Sequence, residues 1–344
     1  MSDIILRVED LNVRFSLRGK VLHAIRDVSL DLYEGETLAI VGESGSGKSV
    51  LTKTFMGLND QNGWVDSGHI WYKGRDLAAF KTEKEWLTIR GREIAMVLQD
   101  PMTSLNPLKT VGAQIAEALR LHRGLRGREA AEQVIALLTD VGISEPERRM
   151  KQYPHEFSGG MRQRVIIAIA LACSPRILIC DEPTTALDVT IQAQIIRLIR
   201  DLVHKYHLTA VYITHDLGVV ANVADRVAVM YAGDIIEIGT AREVFYEPLH
   251  PYTWALLSSL PQLGRKGETL FTIRGTPPNL YHPIQGDAFA PRNEHALKCD
   301  YLVRPPFFEA SPTHKARTWL MDERAPHIAP PEVLRRLKKA GQQE

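Results

Sequence analysis

The chain has 344 residues, longer than a usual single domain, and its 44% hydrophobic and 24% charged content is that of a globular protein with a sizeable core. Its 42 basic and 41 acidic residues leave a net charge of +1, without the basic excess expected of a nucleic-acid binder.

Three cysteines, Cys173, Cys180 and Cys299, fit a reducing compartment, and the first two sit in apolar runs that suit small buried thiols. The opening MSDIILRVEDLNVRF lacks the basic and apolar regions of a secretory signal, so export by that route is not expected. The longest clean apolar run, Val165 to Cys173, falls well short of the ~20 residues that cross a bilayer. Any membrane contact is therefore expected through a partner.

Residues 4–41 read as alternating β-rich runs, LRVEDLNVRF and VSLDLYEGETLAIVG, broken by turns at Arg18-Gly19-Lys20 and Glu34-Gly35. The last run feeds Gly42-Glu43-Ser44-Gly45-Ser46-Gly47-Lys48-Ser49, a G-x-x-x-x-G-K-[ST] phosphate loop, followed by the helical run VLTKTFMGL. In such a loop the glycines let backbone N–H groups converge on phosphate oxygens, Lys48 supplies a cation for the β- and γ-phosphates, and the Ser49 hydroxyl suits Mg²⁺. The pattern arises by accident in about one chain in a hundred of this length, before the flanking strand and helix are demanded.

From about Val111 to Val141 the apolar spacing turns helical, through Ile115, Leu119, Ala131, Val134, Leu137 and Leu138, and suggests a helical insert. Next, Phe157-Ser158-Gly159-Gly160-Met161 precedes the helical run VIIAIALA; a Ser-Gly-Gly turn at a helix start is a second anion site, although alone it is usually a surface turn. One nucleotide has no need of two phosphate cradles, whereas two chains sharing two nucleotides need both. The apolar run Ile177 to Cys180 then delivers Asp181 and Glu182 to a strand end, where Asp181 would hold the Mg²⁺ shell and Glu182 polarise an attacking water. After it come the helix IQAQIIRLIRDLVHKY, the strand TAVYITHD, a helix, and RVAVMYAGDIIEIG read as one strand, an alternation that implies parallel strands with crossover helices. Beyond about residue 248 prolines multiply and periodicity fades, so 249–344 is expected to be a small appendage.

The order of phosphate loop, Gln99, FSGGM, ILICDE, Ala186-Leu187-Asp188 and His215 resembles the nucleotide-binding subunit of ABC transporters over residues 4 to about 248. The resemblance implies a P-loop ATPase α/β core in residues 1–248 with a helical subdomain at about 107–165. It makes Ser158, Gly159 and Gly160 the signature loop that closes on the partner subunit's γ-phosphate. Gln99 becomes the Q-loop glutamine, a catalytic and metal-site residue, Asp188 the D-loop aspartate, and His215 the switch histidine at the γ-phosphate. Phe15 falls where the family stacks an aromatic ring on adenine, although a Phe in an alternating strand is often core.

The stretches QDPMTSLNP, HPYTWALLSSLP and GTPPNL are similar to the oligopeptide and dipeptide importer branch, specifically its D-type ATPase subunit. That implies ATP and Mg²⁺ as cofactors, a second and related ATPase subunit, two transmembrane permeases, an extracytoplasmic peptide-binding protein, and a peripheral position at the cytoplasmic membrane face. Nickel and glutathione importers, and less so a soluble ABC ATPase of translation or DNA repair, are the alternatives; the latter usually carry two cassettes or a long coiled coil. Some relatives hold an iron–sulfur cluster in the tail, but GDAFAPRNEHALKCDYLV offers only Cys299, so no cluster is expected and packing of Tyr281, Phe289, Tyr301 and Trp319 is expected to hold the tail.

Overall fold

The computed structural model describes residues 3–98, 101–185, 187–260 and 272–335. The chain forms two compact units, one of residues 1–3, 33–37 and 80–213, the other of residues 4–32, 38–79 and 214–344.

In the first unit, three parallel strands, Ile94–Val97, Ile177–Asp181 and Thr209–Thr214, lie side by side with Ile177–Asp181 in the middle. Every residue of the central strand is buried, as the unbroken apolar run ILIC requires when both faces are covered. The helix Val189–Tyr206 joins it to the next strand and buries Ile195, Ile196, Ile199, Leu202 and Val203, a stripe at three- and four-residue spacing. The helices Val111–Arg123 and Gly127–Asp140 bury Ile115, Leu119, Val134, Leu137 and Leu138, the residues whose spacing marks them as helical. The first starts on the Thr110 side chain, which accepts from the Ala113 N–H, and stops at Gly124 in the left-handed region. Both pack on Gly159–Ala172, whose residues Val165 to Ala168 are all buried because neighbouring helices enclose it.

In the second unit, one antiparallel sheet runs in the order Lys20–Tyr33, Ile4–Leu17, Gly63–Tyr72, Arg75–Asp76. The strand Thr37–Val41 pairs in parallel with Arg226–Tyr231. The run read as one strand from Arg226 to Gly239 is instead a hairpin. Ala232 and Gly233 take φ of 47° and 82°, a tight turn that sends Asp234–Thr240 back antiparallel to Arg226–Tyr231. Two short strands of the tail, Lys315–Ala316 and Phe308–Glu309, extend this side in turn.

Residues beyond 249 share the core of this unit: Tyr252, Trp254, Leu257, Ala288, Phe289 and Leu334 lie in one apolar cluster with Ala39, Val41, Val227, Val229 and Tyr231. Of the four aromatics expected to hold the tail, Phe289 alone is buried; Tyr281 and Tyr301 are 38% and 50% exposed and Trp319 is half-buried. Buried polar contacts tie other parts of the tail to this unit. Glu237, fully buried, accepts the Leu249 and His250 N–H groups at 2.8 and 2.9 Å and meets His314 Nε2 at 2.9 Å. Asp234 accepts from Arg304 Nη2 at 2.7 Å, and Arg317 Nε lies at 3.6 Å.

Candidate active site

The phosphate loop belongs to the second unit. Leu38 to Val41 are at most 1% exposed, and the chain leaves this buried strand into residues 42–47 before the helix Lys48–Thr54. Gly42 has no room for a side chain: a Cβ there would lie 2.1 Å from the Met230 carbonyl oxygen. Gly47 starts the helix at φ 104°, without a side-chain cap. Lys48 is 5% exposed, and its ammonium donates to the Gly42 and Glu43 carbonyls at 2.9 and 3.0 Å. Ser46 is 4% exposed and its hydroxyl has no partner among the described residues, so the loop carries a buried donor for which a phosphate oxygen is a fitting acceptor. Ser44 and Gly45 continue the loop between Glu43 and Ser46, and Gly45 takes φ 80°.

Phe15, 8% exposed, pairs with Gly63 on the neighbouring strand; a Cβ on Gly63 would lie 2.5 Å from the Phe15 ring. His215 is exposed directly after the strand Thr209–Thr214. The next residue, Asp216, caps a short helix by accepting from the Gly218 N–H at 2.8 Å.

The first unit carries the carboxylates and the Ser-Gly-Gly turn. Asp181 ends the buried strand and is 4% exposed. Glu182 follows at φ 43°, a left-handed conformation that costs a non-glycine residue about 1–2 kcal/mol. It is held there by its N–H donating to the Ile213 carbonyl at 3.0 Å and by Thr185 Oγ1 donating to Oε2 at 2.8 Å. Burial, with the Asp181 carboxylate adding to it, pushes the Cys180 thiol up to about 12, and burial pushes Cys173 to about 11, so both are inert packing groups.

Ser158 caps the helix Gly159–Ala172, its hydroxyl accepting from the Met161 N–H at 3.4 Å, and buried Phe157 anchors the turn. Ser158 and Gly159 are exposed and Gly160 half-buried. The turn rests on the segment around Asp188: Leu187 Cδ2 is 3.4 Å from the position of a Gly159 Cβ, and Ile191 Cγ2 only 2.7 Å from that of Gly160. This unit therefore brings Ser158, Gly159 and Gly160 beside Asp188, which is exposed at the start of Val189–Tyr206. Gln99 lies outside the described residues, as does Ala186.

Two features escape motif reading. Gln163, on the first turns of the signature helix, is fully buried, and neither end of its amide has a partner among the described residues. Glu43, an unspecified position of the loop pattern, is ion-paired to Arg292 of the tail at 2.8 Å. The pairing spans 249 residues of sequence, which no local pattern can signal.

A buried strand entering a glycine loop with a seated lysine, together with an apolar strand delivering paired carboxylates, defines a P-loop nucleotide-binding protein. Residues 25–185 match the ABC transporter family, and residues 236–299 match the oligopeptide/dipeptide transporter C-terminal region. The chain is 57% identical over 335 residues to the oligopeptide transport ATP-binding protein AmiE of Streptococcus pneumoniae, covering 97% of this chain and 94% of the other. It is 54% identical to the dipeptide transport ATP-binding protein DppD of Lactococcus lactis, covering 97% and 96%. Among solved structures it resembles an ATP-binding cassette in a dimeric post-hydrolysis state bound to ADP and Pi, at TM-score 0.61 and 27% identity, covering 69% of this chain and 99% of that one. It also resembles cbiO1 of Clostridium perfringens, part of the ABC transporter complex cbiONQ, at TM-score 0.62 and 30% identity over 72% and 92%. The chain belongs to the ABC transporter ATP-binding proteins, in their oligopeptide/dipeptide transport branch.

Proposed function

We propose that this chain is the ATP-hydrolysing motor subunit of a peptide importer, its residues 1–248 forming the motor and 249–344 the appendage. The observation that carries this reading is the joint presence of a complete phosphate loop and a C-terminal region matching the peptide-transporter branch over residues 236–299. The motor motifs alone are common to many cargoes.

Lys48 turns from the loop carbonyls to the β- and γ-phosphates, and the Ser46 hydroxyl donates to a phosphate oxygen. Ser49 and Asp181, with Gln99, supply hard oxygen ligands that fit Mg²⁺, which when bound offsets the phosphate charge. Glu182, fixed by Ile213 and Thr185, accepts a proton from the attacking water, and His215 contacts the γ-phosphate. Phe15 stacks on adenine. Ser158, Gly159, Gly160 and Asp188 serve the nucleotide held by a second, related ATPase subunit. Closure of that pair moves two permease subunits, fed by an extracytoplasmic peptide-binding protein, with this chain peripheral at the cytoplasmic face. Among the described residues no helix is long and apolar enough to cross a membrane.

The test is Glu182→Gln, assayed for phosphate release and for retained labelled ATP. Loss of a general base costs roughly 10²- to 10⁴-fold in rate, while binding survives because the phosphate loop is intact. Turnover near the wild-type rate would remove Glu182 from the chemistry.

A further inference from the structure

Glu43, the second residue of the phosphate loop, is held at three points, all within the second unit. Its N–H donates to the Tyr252 hydroxyl at 2.9 Å, and its carbonyl accepts from Lys48 Nζ at 3.0 Å. Its carboxylate accepts both arms of one guanidinium, Arg292 Nη1 at 2.8 Å and Nη2 at 3.1 Å, the forked geometry that fixes direction as well as distance. Two of these three holds come from the tail.

Arg292 is itself rigidly seated. Its side chain is 6% exposed, Nη1 also donates to the Tyr231 hydroxyl at 3.1 Å, and Nε donates to the Arg274 carbonyl at 2.8 Å. Its guanidinium carbon lies 5.7 Å from the Tyr231 ring centre and 6.0 Å from that of Phe289. Tyr231, Tyr252 and Phe289 form a closed ring cluster with centroids 4.6 to 5.3 Å apart. Burial opposes the charge on Arg292, yet the hydrogen bonds with Glu43 and Tyr231 outweigh it and hold its pKa above the ordinary arginine value.

The chain of contacts runs from tail to reaction centre in two steps, Arg292 to the Glu43 carboxylate and the Glu43 carbonyl to the Lys48 ammonium. We propose that Arg292 is a positioning residue for nucleotide binding: by clamping Glu43 it fixes the phosphate loop and the resting place of Lys48, and so makes the C-terminal appendage a part of the ATP site's support. A loop already fixed in its binding shape loses less conformational freedom when nucleotide arrives, so the clamp raises affinity. The inference rests on the reading of residues 42–49 as the ATP-binding loop.

The test measures binding of a fluorescent ATP analogue to the full chain, well below its melting temperature, for wild type, Arg292→Met, Glu43→Gln, the double variant, and Lys48→Ala as control. Energetic coupling between distinct sites typically amounts to about 5- to 150-fold in affinity. Arg292→Met and Glu43→Gln are each expected to weaken binding by roughly 5- to 30-fold, with the double variant no weaker than either alone. Arg292→Lys keeps the charge but loses the fork, and is expected to fall between wild type and Arg292→Met; it also serves should the Met variant not fold. Wild-type affinity in Arg292→Met or Arg292→Lys, with only a lower melting temperature, beside a Lys48→Ala that fails to bind, would reduce the pair to a structural tie and overturn the proposal alone. A Lys48→Ala chain that binds as wild type does would overturn the site reading and the clamp together.

Discussion

The strands around Asp181 and the tail beyond residue 249 are built on different chemistry. In the first, five consecutive residues, Ile177 to Asp181, are buried and all but the last two are plain aliphatics. In the second, Asp287 and Asp300 are buried at short 3₁₀ turns, His250 is buried at the start of a helix and His314 beside a short strand, and the interior is tied by directed contacts such as Glu237 to His314. Hydrophobic burial is non-directional and indifferent to pH, whereas a buried polar network is stable only while each member keeps its partner and protonation state. The tail should therefore be the region that single polar substitutions and pH can unmake.

The strongest challenge to this contrast is Arg304→Met. Arg304 donates to buried Asp234 at 2.7 and 3.0 Å and to Asp27 at 2.8 Å, so its loss leaves Asp234, among the described residues, with the longer Arg317 contact and the field of Arg26. Removing one partner of a buried ion pair costs about 3–5 kcal/mol, and the exposure of Arg304 sets the expectation at the lower end, about 3 kcal/mol. Chemical denaturation measures it. A loss comparable to that of an exposed pair, under ~1 kcal/mol, would show that the tail does not depend on the network.

A smaller effect sharpens the contrast through pH. Burial pushes the Asp287 carboxyl up to about 7, partly offset by the Phe289 N–H it accepts, with Asp300 and Asp234 adding to the rise and Arg26 opposing it. Between pH ~4 and ~7 the folded chain thus retains a proton that the unfolded chain has released. This group's contribution to stability is full below that window, falls as pH rises through it by at most about 1.4 kcal/mol per unit, and is flat above. Asp287→Asn should therefore be more stable than wild type at pH 8 and lose the advantage near pH 4. Taking the difference between the two chains cancels titrations not coupled to Asp287, including that of buried His250, which burial holds down at about 3. A difference independent of pH would show that folding leaves the proton affinity of the Asp287 carboxyl unchanged.

The smallest expected effect on the fold belongs to the signature turn. Among the described residues Gly159 has only Leu187 at 3.4 Å from a Cβ, an ordinary contact, whereas at Gly160 the approach of Ile191 is 2.7 Å. Gly159→Ala should leave the melting temperature of the isolated chain within about 1 °C, in line with surface substitutions of under ~0.5 kcal/mol. It should still impair nucleotide trapping at the partner subunit's phosphate loop. Impairment confined to the site of this chain's own Lys48 would contradict a shared site.

How much of this was legible in the sequence follows the same division. Apolar runs such as ILICD and the stripe Ile195, Ile199, Leu202 announce their own burial, and the turns at Arg18-Gly19 and Glu34-Gly35 fall where the chain reverses. The strand Gly63–Tyr72 gives no such signal because its face is mostly exposed, with only Ile70 and Tyr72 fully buried, and Gly68 interrupts it. The hairpin at Ala232-Gly233 was hidden by two apolar strands joined through two small residues. Of the motif residues, Lys48 begins a helix, Asp181 ends a buried strand and Ser158 caps a helix. The Glu43–Arg292 clamp was invisible because its partners meet only after the tail has folded onto Tyr231 and Tyr252. Tyr301 and Trp319 misled for a related reason: each satisfies its polar atom on a backbone carbonyl, of Ala290 and Val303, while Tyr301 stays 50% exposed and Trp319 only half-buried.

The central claim, that this chain converts ATP hydrolysis into peptide uptake, is tested most directly in proteoliposomes that contain the full transporter with its permeases and peptide-binding protein and enclose ATP on the side of this subunit. Labelled oligopeptide should accumulate with wild-type chain, and should fall to the ATP-free background with Glu182→Gln. Peptide accumulation unchanged by Glu182→Gln, or uptake of nickel or glutathione in place of peptide, would contradict it.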